Sequence, residues 1–250
     1  MLSPTGLRMK RLLNCYRSRV NSKPSAKKRP ASAASESPSA DMAHRSRTGR
    51  VDRRQQLTDA ALRLFSSRPY DEVFIDDIAA EAGVAHGLLS YYFGGKRGIY
   101  LAALEAVQAD LAVLTTPLRS DGSTTAQIKG MARRHFEYFR AHPHLMLGLL
   151  NSAPTDAQTR AILSANQASG ANALLKLLDL PTEPPPALET ALRGCMGFLD
   201  AITVHWLTHG AQTDVALLVD MLYDVALAAI ASAVGHDEAL TILEPPSAAS

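Results

Sequence analysis

The stretch IDDIAAEAGVAHGLLSYYF, residues 75–93, decides the fold. Its apolar residues Ile78, Ala82, Val84, Leu89 and Phe93 recur at helical spacing on either side of Gly83, so the segment reads as two short amphipathic helices joined by a tight turn. Gly83 supplies the positive φ that such a turn requires and that a side chain with a Cβ resists. Ala79 is small enough to let the second helix cross closely. This combination is a helix-turn-helix. Its second helix offers Ala85, His86, Gly87, Leu88, Ser90, Tyr91 and Tyr92, a mixture of small, hydroxyl and aromatic groups suited to a DNA major groove and its flanking phosphates.

Outward from this segment, nearly every stretch has helical period. Leu57, Ala60, Ala61, Leu64 and Phe65 fall at i, i+3, i+4, i+7 and i+8 and predict a first helix that Pro69 must end. Asp76 and Asp77 open the next helix, where carboxylates favour the positive end of its dipole. After Gly94 and Gly95, residues 96–114 predict a longer helix linking head to body. Residues 124–142, 143–151, 155–178, 185–209 and 213–234 predict five body helices, bounded by Gly122, Pro143, Pro154, the prolines from Pro181 to Pro186, and Gly210. No segment alternates as a strand would, and no internal repeat occurs. The expected fold is all-α, with a three-helix DNA-binding head at residues 49–98 and a helical effector-binding and dimerisation body at residues 99–235. A disordered basic extension, residues 1–48, and a disordered tail, residues 236–250, are expected to flank them, since residues 21–48 are rich in Ser, Ala, Pro, Lys and Arg and lack periodicity.

The same residues resemble the TetR family of bacterial transcriptional regulators. The resemblance rests on Ala60, Ala61, Leu64 and Phe65, then Ile78, Ala79, Ala82, Gly83 and Val84, then Tyr91, Phe93 and Lys96, all in order and in register. The chain departs from the family pattern where two successive tyrosines are common, having Ser90 and then Tyr91, and where histidine is common, having Tyr92. The Ser90 hydroxyl can still meet a phosphate, with shorter reach. The resemblance implies a homodimeric repressor, binding a palindromic double-stranded DNA operator and released by a small hydrophobic or amphipathic effector through a population shift.

Charge is distributed in keeping with a DNA-binding end. The chain has 26 basic and 24 acidic residues, yet 14 of the former and only 3 of the latter lie before residue 55, so that end carries +11 and the remainder −9. A basic end beside the helix-turn-helix can neutralise phosphates, or it can simply be a solvated tail. With 46% apolar residues the chain can bury a sizeable core. No run of about eighteen apolar residues lacks a charge or breaker, and no secretory signal pattern appears, so no membrane partner and a cytoplasmic location are expected. Cys15 and Cys195 provide neither a zinc spacing nor a disulfide framework.

Among candidate site residues, Lys96 is positioned to grip a backbone phosphate where the next helix begins, and Arg53 and Arg54 to follow the flanking backbone or minor groove. Tyr91 combines a ring with a hydroxyl donor. In the body, Cys195, Leu199, Ile202, Thr203 and Trp206 share a broad helix face, opposed by Met131, His135, Tyr138 and Phe139 and by Met146 and Leu150; together they are candidates for an effector cavity, although such stripes also make ordinary core. The last two helices are the expected dimer interface, with Val215, Leu218, Leu222, Val225 and Ala229 as its stripe and Ala191, Gly194, Ala226 and Ala233 permitting close approach. His205 and His209 at i, i+4, with His142 and His144, lack further ligands for a metal, and no cofactor is expected. Ser152 and Ser164 lie in no nucleophile context, so the chain does not read as an enzyme. Two alternative functions use the same residues: an architectural DNA binder driven by the basic tail, and a small-molecule-binding protein that has lost DNA recognition.

Overall fold

The structure, a computed structural model, describes residues 41–152 and 155–235. Nine α-helices and no strand occur among the described residues. The head comprises α1 (Asp41–Ser67), α2 (Ile75–Ala82) and α3 (His86–Phe93), and α4 (Lys96–Leu114) leads into the body. The body is α5 (Thr124–Ala141), α6 (Pro143–Ser152), α7 (Ala157–Leu177), α8 (Pro186–Thr208) and α9 (Val215–Val234), each within two residues of its expected bounds. Helix α1 takes in residues 41–48, which the sequence reading assigned to a disordered extension. The rest of that extension and the tail at 236–250 lie outside the described residues.

Gly83 has φ 65° and ψ 34°, and its N–H bonds to Ala80 O at 3.1 Å while Val84 N–H reaches Ala79 O at 3.1 Å. This left-handed cap satisfies the last carbonyls of α2 and turns the chain directly into α3. The start of α2 is held by Asp77, whose carboxylate accepts from Phe74 N–H at 3.2 Å and pairs with Arg68 at 3.2 Å. At the far end of α3, Gly94 (φ 71°) and Gly95 (φ 132°) make the reversal into α4.

Ile78 and Leu89 are fully buried against Leu57, Ala60, Ala61 and Phe65. This cluster does not stop at the head. It continues through Ile99, Tyr100, Ala103, Leu104 and Val107 of α4 to Phe139, Met146, Leu149 and Ile162 of the body. Two further clusters lie between α5, α7, α8 and α9.

Helix α9 turns part of its expected dimer stripe inward, while Val215, Val225 and Ala229 are only half-buried. Leu218, Leu222 and Ala226 are buried within the protomer, packed in the clusters that α9 builds with α5 and α8. Its opposite face leaves Leu217 54% and Met221 42% exposed. The most apolar face of a helix is claimed first by the core of its own chain, and what remains for a partner is the face beside it. Helix α9 is also long and apolar enough to cross a bilayer, with a mean hydropathy of 1.9; in this fold its Asp220 pairs with Lys129 of α5 at 2.9 Å.

Gly98, in the first turn of α4, abuts the last residue of α3. A Cβ there would lie 1.8 Å from the Phe93 carbonyl oxygen, so the backbone itself would have to move. Gly98→Ala should lower the unfolding free energy by about 1–3 kcal/mol in urea denaturation; an unchanged midpoint would mean that the junction is not tightly packed.

Candidate functional site

On α3, His86, Gly87, Ser90 and Tyr91 are exposed beside the exposed N-cap residue Ala85, and Tyr91 stands 67% open to solvent. The surface is narrower than the sequence implied. Leu88 and Tyr92 are half-buried and pack against the head core. Leu89 is the fully buried anchor of the helix, and with about 100° per residue its neighbours at i−1 and i+3 flank it on the inward side. Tyr92 is further enclosed by edge-on contacts with Tyr91 and Phe93, at 5.1 and 6.4 Å between ring centroids. His86 is not free either: its Nδ1 pairs with the Asp76 carboxylate at the start of α2, bracing the two helices across their turn.

Two of the three expected cations, Lys96 and Arg54, are held on aromatic rings. Lys96 Nζ lies 4.3 Å from the Tyr70 ring centroid and 5.7 Å from that of Phe74, which is itself 63% exposed. Arg54 places its guanidinium 4.9 Å from the Phe93 ring, tying α1 to the end of α3, and Arg53 is exposed beside it. Such stacking fixes a long side chain at modest energetic gain and presents its charge in one position. The sequence carried this signal in the aromatic pair Tyr70 and Phe74, which went unread.

Head and body meet along α4. Arg97 pairs with Asp156 and donates to Gln158 Oε1 at 2.6 Å, fastening the first turn of α4 to the start of α7. His142 Nδ1 meets Ser66 Oγ at 2.7 Å, joining the end of α5 to α1. Tyr100 is buried between Tyr70 and α6, its hydroxyl without a hydrogen-bond partner, and burial pushes its pKa up to about 12. Its Oη would lie 2.3 Å from a Cβ on Gly148.

The body contains a partly open cavity of about 100 Å³. Six of the expected residues line it: Met131, His135, Phe139, Met146, Cys195 and Leu199. Tyr138, Leu150, Ile202, Thr203 and Trp206 do not. Tyr138 turns toward Asp110 and His142, and Leu150 packs on the core shared with the head. Ile202 and Trp206 belong to the cluster under the α8–α9 connection, where the indole donates to Thr213 O at 2.9 Å and meets Phe136 edge-on. Trp206 does continue the face of Leu199, but two turns further along, about 10 Å beyond the cavity end. Thr203 sits behind His135: its hydroxyl donates to Leu199 O at 2.7 Å, so the contact of 3.2 Å to His135 Nε2 makes the imidazole N–H the donor.

The polar lining was not foreseen. Asn166, Gln167 and Asp200 face the cavity, and Gln167 Nε2 donates to Asp200 Oδ2 at 2.7 Å. These residues come from two helices whose polar positions give no periodic signal. Burial raises the Asp200 pKa to about 6 and lowers that of His135 to about 4, leaving the imidazole neutral at physiological pH. Away from the cavity, His205 and His209 stack with ring centroids 4.1 Å apart; no group of three or more His, Cys, Asp or Glu placed to hold a metal ion occurs among the described residues.

Residues 57–103 match the profile described as bacterial regulatory proteins, tetR family. A tetR-family transcriptional regulator from Streptomyces coelicolor is 31% identical and superposes with a TM-score of 0.69 over 76% of this chain and 86% of that one. The HTH-type transcriptional regulator BetI 2 from Chromohalobacter salexigens is 33% identical over 88 residues; these are 34% of this chain and 42% of that regulator, so the chain spans less than half of this relative's length. The FadR regulator of Bacillus subtilis in complex with stearoyl-CoA is 16% identical, with a TM-score of 0.55 over 72% of this chain and 98% of that one, and shares the fold alone.

His135 and Asp200 give opposing pH dependences. The native His135 resists protonation between its ordinary 6.5 and about 4, so its contribution to stability is full above pH 6.5 and is lost as pH falls toward 4. The native Asp200 holds a proton that the unfolded chain releases, so stability is gained as pH falls through 6 toward 3.8. Asp200→Asn removes the second slope and leaves the first. Urea denaturation from pH 6 to pH 4 should then reveal an acid loss about 2 kcal/mol larger than in the unsubstituted chain. Parallel profiles would mean that Asp200 does not titrate in that window.

Proposed function

Because this chain belongs to the TetR family of bacterial regulatory proteins, we propose that it is a ligand-responsive transcriptional regulator. It acts as a homodimeric repressor whose two α3 helices enter successive major grooves of a palindromic operator in cytoplasmic DNA. The observation that carries this reading is the surface of α3: Ala85, His86, Gly87, Ser90 and Tyr91 form one exposed strip on a short helix held at both ends by left-handed glycines. A strip so fixed loses little conformational freedom when it meets a groove. Lys96 and Arg53 flank it for the phosphates, and Arg54 supports it from behind.

One head contacts too few bases for useful specificity, so a second copy is needed. The exposed apolar face of α9, with Leu217 and Met221, and the exposed Gly194 and Gly197 of α8 support a symmetric four-helix contact.

Release follows from the shared core. Met146 and Leu149 line the cavity on either side of Gly148, which presses on Tyr100; Tyr100 packs on Tyr70, and Tyr70 carries Lys96. An amphipathic effector that favours a different seating of α6 therefore favours a different position of the head, and it displaces DNA to the extent of its preference for that seating. No catalytic step belongs to this reading. An architectural binder driven by the basic end would protect DNA uniformly, whereas a regulator leaves a short symmetric footprint.

A binding-site selection followed by footprinting tests the whole reading, and a uniform footprint would overturn it. Gly87→Ala sharpens the test, because a Cβ there meets nothing within 4 Å in the protein. It should raise stability by up to about 1 kcal/mol through helix propensity while weakening operator binding; an unaltered affinity would remove Gly87 from the groove. Leu217→Glu with Met221→Glu should yield a folded monomer in light scattering that has lost operator binding, and a persisting dimer would exclude this face as the interface.

A further inference from the structure

The cavity has an uneven distribution of charge. Of the Lys, His and Asp side chains that line it, Lys129 is committed to Asp220 of α9 at 2.9 Å, and His135 is neutral and bonded to Thr203. Asp200 remains. Among the described residues no cation pairs with it, and its hydrogen-bond partner is the neutral amide of Gln167. Next to Gln167 in the chain, Asn166 also lines the cavity, and its side-chain Oδ1 is buried without a hydrogen-bond partner. Apart from these groups the lining is mostly apolar, interrupted by Gln108, Thr115, Ser169 and Tyr223. Burying a carboxylate with a single neutral donor is costly, and a bound group carrying several N–H donors and a positive charge relieves that cost.

A second groove along α7 and α8 shares Gln167 and Met196 with the cavity. Glu183 and Glu189 line that groove against the single cation Arg193. Met196 is the flexible partition between the two spaces, its Sδ lying against Gly170, where a Cβ would approach it to 2.8 Å.

We propose that the effector is a protonated primary amine on a short apolar body, its ammonium seated on the Asp200 carboxylate and its hydrocarbon among Met131, Phe139 and Leu199. The second groove admits it past Met196. A carboxylate ligand is disfavoured, because its charge would meet Asp200 with no free cation to offset it. An uncharged alcohol of the same length fills the apolar part and forgoes the ionic contact. The proposal rests on the reading of this cavity as the effector site.

Calorimetric titration of the full chain with n-hexylamine, n-hexanol and hexanoate at neutral pH, without DNA, tests it. Hexylammonium should bind at least about tenfold more tightly than hexanol, the ratio that one charge-assisted hydrogen bond supports, and hexanoate should bind more weakly still. Asp200→Asn removes a buried charge and is expected to fold; it should bring hexylammonium down to the affinity of hexanol. Equal affinities in the unsubstituted chain, no binding of hexylammonium, or an amine preference that survives Asp200→Asn would overturn the proposal and leave the Gln167–Asp200 bond as a structural clamp between α7 and α8. An amine that binds through Asp200 but leaves operator DNA bound would instead overturn the release mechanism and leave the amine site intact.

Discussion

Helix α4 is the member on which the rest of the molecule depends. Its residues Ile99, Tyr100, Ala103, Leu104 and Val107 are all buried, and they join the head core of Leu57, Phe65, Ile78 and Leu89 to the body residues Phe139, Met146 and Leu149. A close-packed interior transmits displacement because few voids exist to absorb it. The head therefore has no independent core on which to pivot, and the Arg97 pairing with Asp156 adds a polar fastening at the same junction. A change in the seating of α6 must either be carried through Tyr100 or open a gap beside Gly148.

The polar groups divide by task according to their surroundings. In the head, Lys96 and Arg54 lie on ring faces, where they are partly desolvated yet keep their charge near the surface. In the body, Asp200 and His135 are buried among apolar side chains, and burial moves each toward its neutral form, the acid upward and the base downward. The same physical cause thus makes one group resist ionisation by losing a proton and the other by gaining one. Hydrogen bonds to Gln167 and Thr203 keep both from being orphaned, while Asn166 Oδ1 has no such partner.

Much of this molecule was legible in the residues alone. Helical period and the glycine and proline breaks located the body helices to within two residues, because helix limits depend on backbone energetics over a few neighbouring positions. Gly83 announced its left-handed turn for the same reason. Its place between Ile78 and Leu89 determined the head, and the charge excess before residue 55 marked the basic end. The apolar members of the cavity were half visible, since Met131, His135 and Phe139 share one helix face.

What the tertiary structure decided are matters of which face meets which neighbour. Hydrophobic period identifies the apolar side of α9 without saying whether its own chain or a partner covers it, and here Leu218 and Leu222 go inward while Leu217 and Met221 remain outside. Period likewise aligns Trp206 with Leu199 but carries no record of where along the helix a cavity ends. The bonds that give the cavity its chemistry join residues far apart in the chain, Gln167 to Asp200 and His135 to Thr203. Such pairings arise from the docking of one helix on another, and no local pattern of residue types encodes them.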